Sequence, residues 1–168
     1  MYRFNIKVYI SEETGKKVCK WYQQPKDHGF VGYNDDFATI RLPKGDCVFI
    51  NPETNQHISY WFQDAGCFGE GLAPIQKTNN KWGFIDKKGE LSIPFEYDSI
   101  YLLSFNEGLV PVQMLNGNGK WVFIDKTGEP YIQIEFDDVI ENFKDGKAKV
   151  KLNGEIFYIN RNGNRITL

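Results

Sequence analysis

Few of the side chains that usually carry chemistry are present in this 168-residue chain. It has two histidines, His28 and His57, and three cysteines, Cys19, Cys47 and Cys67. The cysteines are odd in number and show no C-x-x-C spacing, which excludes a disulfide framework and a zinc knuckle and leaves reduced, buried thiols as the expectation. Two histidines are too few for a metal centre of regular ligand spacing, so no cofactor is expected. No run of about 18 apolar residues occurs, and the opening Met1-Tyr2-Arg3-Phe4-Asn5-Ile6-Lys7 lacks the apolar stretch of a secretory signal. The expectation is a soluble, cytoplasmic chain with no membrane insertion, although a secreted chain relieved of its leader would read the same. Nor is there an excess of one charge: 20 Lys and Arg against 22 Asp and Glu leave a net charge of −2. With the signs interspersed there is no broad positive field to neutralise phosphates, so nucleic acid is not an expected partner.

Aromatics and turn residues are plentiful. Rings make up 15% of the chain and its 16 glycines are scattered rather than pooled, a composition for many short strands. The arrangement repeats. Lys81-Trp82-Gly83-Phe84-Ile85-Asp86-Lys87-Lys88-Gly89 returns as Lys120-Trp121-Val122-Phe123-Ile124-Asp125-Lys126-Thr127-Gly128, more faintly as Glu155 to Gly163, and earlier as Asp46-Cys47-Val48-Phe49-Ile50-Asn51. Cys47, Trp82, Trp121 and Ile156 mark copies 35, 39 and 35 residues apart. A second block keeps step: Phe68-Gly69-Glu70-Gly71-Leu72-Ala73-Pro74-Ile75, Phe105-Asn106-Glu107-Gly108-Leu109-Val110-Pro111-Val112, and Phe143 to Val150. A third, Glu96-Tyr97-Asp98, returns as Glu135-Phe136-Asp137. Three blocks in constant order define a repeat array.

This order resembles the WG (KWG) β-repeat family, a bacterial family, specifically over residues 46–168. The resemblance implies a repeat scaffold and supplies no catalytic residues. The expected fold is all-β: about four imperfect units, each of about three short antiparallel strands, stacked as an open solenoid rather than closed like a propeller or a barrel. Residues 1–45 form a divergent segment or repeat, 46–80 a degenerate repeat, 81–119 the WG repeat, 120–154 a WG-like repeat and 155–168 a partial terminal one.

Alternation assigns the faces. Ala148, Val150 and Leu152 share one side of a strand and Lys147, Lys149 and Lys151 the other. Sister copies carry Leu72 with Pro74 and Leu109 with Pro111 where the last copy has lysines, as a terminal cap would. Trp82 and Phe84, like Trp121 and Phe123, face away from Gly83, Ile85, Val122 and Ile124, so this strand is apolar on both sides and belongs inside the packing. Gly83 leaves room for close approach by a neighbouring aromatic ring. Asp86 and Gly89, like Asp125 and Gly128, read as a hairpin turn with a bulge, in which the carboxylate accepts backbone N–H groups. Asn51 and Asn160 take the same place, so these carboxylates are architectural.

Function is therefore sought where the repeat is broken. Trp21, Tyr22, Tyr60, Trp61 and Tyr101 lack clear aromatic counterparts, and exposed rings of this kind anchor protein partners or stack on sugars. The expected activity is protein binding on an extended β-repeat surface, without catalysis. Carbohydrate or cell-envelope recognition through those rings is the alternative, and a small enzyme using Cys67 or an acidic pair such as Asp137-Asp138 comes third.

Overall fold

The computed structural model describes residues 6–10, 17–21, 29–41, 46–54, 56–77, 79–101, 104–114 and 118–167, with 6–10, 17–21, 29–34 and 59–61 described by their backbone alone. Among these residues there is no helix. β1 (Ile6–Ile10) and β2 (Lys17–Trp21) pair as a ribbon. A four-stranded sheet follows from β3 (Gly29–Asn34), β4 (Phe37–Arg41), β5 (Cys47–Ile50) and β6 (His57–Phe62). A six-stranded sheet holds β7 (Asp64–Ala65), β8 (Leu72–Gln76), β9 (Trp82–Asp86), β10 (Leu91–Ile100), β11 (Val110–Met114) and β12 (Trp121–Ile124). The last sheet has β13 (Asp138–Lys144), β14 (Lys147–Leu152), β15 (Glu155–Asn160) and β16 (Arg165–Ile166). Every pairing is antiparallel between chain neighbours, and no sheet closes on itself among the described residues. The fold is an open, all-β repeat array.

The four copies share one backbone register. Ala38 pairs with Ile50, Ala73 with Ile85, Val110 with Ile124 and Ala148 with Ile159, and the pairing then runs in step toward Cys47, Trp82, Trp121 and Ile156. Phe37-Ala38-Thr39-Ile40-Arg41 is thus structurally equivalent to the matching strands of the later copies, and the first four-stranded sheet joins strands from the expected 1–45 segment to strands of the 46–80 repeat. The strand that leaves each unit carries on toward the next. In β10 it is continuous, pairing with β9 through Leu91, Ile93 and Tyr97 and with β11 through Tyr97, Ser99 and Ile100. Its counterparts break, between β6 and β7 and again between Phe136 and β13, so the middle sheet alone counts six strands.

Gly83 accounts for part of that difference. A Cβ on it would lie 2.7 Å from the Ile93 carbonyl oxygen and 3.0 Å from Pro94 backbone. Backbone, not the expected aromatic ring, is what approaches. Val122 carries that Cβ in the next copy, and there the facing chain stands off, held by isolated bridges Ile124 to Pro130 and Trp121 to Phe136.

Because each unit is apolar on both faces, three cores form between units. Trp82, Phe84 and Leu72 pack forward onto Phe105, Val110, Val112, Val122 and Ile124. Ala73, Ile75 and Ile85 pack backward onto Phe37, Cys47 and Phe49 with Phe68. Leu109 and Phe123 pack forward onto Phe143, Ala148, Val150 and Ile159. One contact repeats through the array: Phe49 with Phe68, Phe84 with Phe105 and Phe123 with Phe143 each have ring centroids 5.0 Å apart, edge-on or tilted. Such pairs add about 0.5–1.5 kcal/mol beyond the area they bury. On the last unit the forward face is Lys147, Lys149, Tyr158 and Ile156, the last 53% exposed, with both lysine ammoniums over the Tyr158 ring. That face is polar where its predecessors are apolar, as the alternation of the three lysines expects.

Candidate functional site

The turn that opens each hairpin is built as its sequence suggests. Asp86 Oδ1 accepts N–H bonds from Lys88 and Glu90 at 2.8 and 2.9 Å, Asn160 Oδ1 accepts from Asn162 and Asn164 at 3.0 Å each, and Asn51 Oδ1 accepts from Glu53 and Thr54 at 3.0 Å each. Asp125 does the same and also accepts the Thr127 hydroxyl at 2.6 Å. That hydroxyl and the turn amides hold its carboxyl below the ordinary Asp value. Gly89 and Gly128 close these turns at φ +86° and +91°. Two acids outside the turns form ion pairs: Lys81 pairs with Asp98 and Lys120 with Asp137, whose carboxyl is lowered first by that lysine. Asp138 caps the Val139 N–H at 2.9 Å.

Two cysteines have described side chains, Cys47 and Cys67, and neither sits in surroundings that favour a thiolate. Cys47 is fully buried in the place of a tryptophan, and burial pushes its thiol above the usual value. Cys67 is half-buried, and burial raises its thiol too, the direction opposite to that which makes a thiolate. No cluster of three or more His, Cys, Asp or Glu able to hold a metal occurs among the described residues.

Of the five aromatics singled out from the sequence, Tyr101 is the one whose side chain is described. Its hydroxyl donates to the Ile140 carbonyl at 2.6 Å and its ring lies 6.0 Å from Trp121, edge-on, so it fastens one unit to the next. Tyr60 and Trp61 lie within β6, and Trp21 ends β2, but their side chains fall outside the described residues, as does Tyr22 altogether. Register adds one fact. Phe62 pairs with Cys47 as Tyr97 pairs with Trp82, so Trp61 holds the position of Glu96.

Two features at the junctions were missed from sequence. The first is an acid clasp. The Phe-x-Glu-Gly block makes a two-residue turn with both residues at positive φ: Glu70 and Gly71 at +52° and +95°, Glu107 and Gly108 at +51° and +77°. The acidic side chain then reaches the glycine N–H of the following unit. Asp35 accepts from Gly71 at 2.5 Å, Glu70 from Gly108 at 2.9 Å, and Glu107 from Gly146 at 3.1 Å. A cation two positions before the turn glycine of the following unit completes each clasp: Lys87 at Asp35 and Asp36, Lys126 at Glu70 (3.1 Å), and Arg161 at Glu107 (3.8 Å). Lys126 and Arg161 also donate to the Glu70 and Glu107 carbonyls, at 2.9 and 2.5 Å. Recurrence of Glu-Gly and of a cation after Asp86, Asp125 and Asn160 was visible, but not that they meet.

The second is a cleft at the same place in successive junctions. One is lined by Phe62, Ile75, Ile85, Leu91, Phe95 and Lys77 and encloses about 340 Å³. The next is lined by Met114, Val122, Pro130 and Ile132 between Glu96 and Glu135 and encloses about 670 Å³. The positions correspond: Lys77 and Met114 each follow the glutamine paired with a tryptophan, and Leu91 and Pro130 each stand two after a turn glycine. These clefts are apolar surface left open between stacked units.

A family profile described as "WG containing repeat" matches residues 49–82, 82–121 and 121–155. No curated protein matches the chain. Among solved structures, the computationally designed Ika8 protein aligns over 95% of this chain and 57% of its own at a TM-score of 0.51 and 12% identity, so the chain spans little more than half of Ika8. KlHsv2 with loop 6CD replaced by a Gly-Ser linker aligns over 83% of this chain and 49% of its own at 0.50 and 11% identity. The designed Ika4 protein reaches 0.49 at 12% identity, over 83% of this chain and 94% of its own. At these identities the likeness concerns fold alone.

Proposed function

The chain belongs to the WG-containing-repeat family, and on that premise we propose that it is a non-catalytic scaffold that binds a protein partner across its stacked units. The observation that carries this is the pair of corresponding clefts, open and mostly apolar, at two successive junctions. A periodic apolar surface suits an extended partner segment, whose side chains repeat along its length. Asp86 and Asp125 are tied into turns, Glu70 and Glu107 into clasps, and Cys47 into a core. Tyr101, one of the rings on which a carbohydrate reading would rest, is spent on Trp121 and Ile140.

The test is in-cell cross-linking from the native host, quantified by mass spectrometry. The wild-type chain is compared with a variant carrying Leu91→Asp and Pro130→Asp, one at each cleft. One protein enriched by the wild type and lost from the variant is the expected result. Enrichment indifferent to the variant would place binding elsewhere, and turnover of a small molecule by the purified protein would overturn the scaffold reading.

A further inference from the structure

We propose that the cleft between Glu96 and Glu135 receives a lysine or arginine side chain from an extended segment of the protein partner, a reading that rests on the scaffold function above. The two clefts differ in one telling position. In the earlier one the chain supplies its own cation: Lys77 lines the cleft and its ammonium stands 4.3 Å over the Phe95 ring. At the corresponding position of the later cleft stands Met114, which brings no charge, while carboxylates stand among the lining residues.

Those carboxylates lack a cation of their own. Each of the two middle copies brings two acids and one lysine to this strand region: Glu96 and Asp98 with Lys81, and Glu135 and Asp137 with Lys120. Lys81 is taken by Asp98 and Lys120 by Asp137, which leaves Glu96 and Glu135 in surplus. Glu135 accepts one neutral hydrogen bond, from the Asn118 amide at 3.0 Å. Neither glutamate makes an ion pair with a described residue. Met114, Val122, Pro130 and Ile132 supply an apolar floor of the kind along which the methylene stem of a long cation lies while its head stays at the polar rim. An acidic or phosphorylated segment would meet like charge here. An apolar one would leave the two carboxylates uncompensated. A basic side chain satisfies floor and rim together.

The test is fluorescence anisotropy with three labelled undecapeptides, alternating valine with arginine, serine or glutamate. The valine–arginine probe should bind, more weakly as salt rises, and the other two should not. Glu96→Gln with Glu135→Gln should weaken it at least about tenfold. Met114→Lys, which fills the cleft as Lys77 fills its counterpart, should abolish binding. Asp145→Asn with Glu155→Gln removes the same charge elsewhere and should leave binding unchanged. Circular dichroism melts check that all variants fold. No binding of the arginine probe, equal binding of the serine probe, or wild-type affinity in the double glutamine variant each overturns the proposal. The scaffold reading fails separately: if the probe binds the cleft but no host protein cross-links, the scaffold reading falls and the cleft assignment stands. A host protein captured equally by wild type and by the double glutamine variant leaves the scaffold and removes the cleft.

Discussion

Asp125 and Asn160 hold the same turn with different chemistry, and the difference has a pH signature. Both side chains offer an oxygen to backbone N–H groups of the turn, but Asp125 is charged and its carboxyl is lowered, chiefly by the Thr127 hydroxyl. A carboxyl lowered in the folded state contributes stability that is complete above its unfolded value, about 3.9. That contribution is lost as pH falls through the lower folded value. Asp137, lowered by Lys120, acts in the same direction. Wild-type stability should therefore be level above about pH 5 and decline below about pH 4. Asp125→Asn keeps the acceptor, so stability at pH 7 should change by less than about 1 kcal/mol, and the acid decline should become shallower. Urea titrations at pH 7, 4 and 3 measure both; an unaltered acid slope in the variant would contradict the assignment.

At the scale of the element, the junction between units is made of parts drawn from three places: an acid from the Phe-x-Glu-Gly turn, a glycine N–H from the next such turn, and a cation from the following Trp-strand turn. Glu107, Gly146 and Arg161 form the last complete set. The Glu107 and Arg161 side chains keep 29% and 40% of their surface exposed, so solvent screens their attraction. A double-mutant cycle of Glu107→Ala and Arg161→Ala should give a coupling of about 0.2–1 kcal/mol. The two single variants should cost similar amounts, since Glu107→Ala loses a bond from the solvent-exposed Gly146 amide and Arg161→Ala loses its bond to the Glu107 carbonyl. Zero coupling would mean that the clasp is geometric coincidence. Asp145 occupies the fourth acid position, exposed and with no partner among the described residues.

For the whole molecule, stability is carried by three inter-unit cores in a line, so a break in the middle differs from a break at an end. Phe105 is 3% exposed and packs on Phe84 in the central core. Phe105→Ala should cost about 3–5 kcal/mol and split urea unfolding into two transitions, with β3 to β9 on one side of that core and β11 to β16 on the other exchanging their amide protons independently. A single transition merely shifted to lower urea would show that the array folds as one block. Much of this arrangement was legible in advance. Period-2 alternation marked Ala148, Val150 and Leu152 against three lysines, and Asp-to-Asn interchange marked the turns, because both are local. The clasps and the acid-rimmed cleft were not, since Glu107 and Arg161 stand 54 residues apart and nothing in either neighbourhood specifies the other.

The repeat thus determined by itself the strands, their faces, the turn chemistry and the polar lysine face of β14, all of which follow from side-chain alternation and from backbone preferences acting over a few residues. Only the tertiary structure decided what lies between units: that Gly83 admits the Ile93–Pro94 backbone, that Tyr101 is a fastener, and that Met114 lines one cleft with Glu96 and Glu135. Those depend on the distance and rotation from one unit to the next, set by summed packing in the three cores rather than by any short stretch of chain.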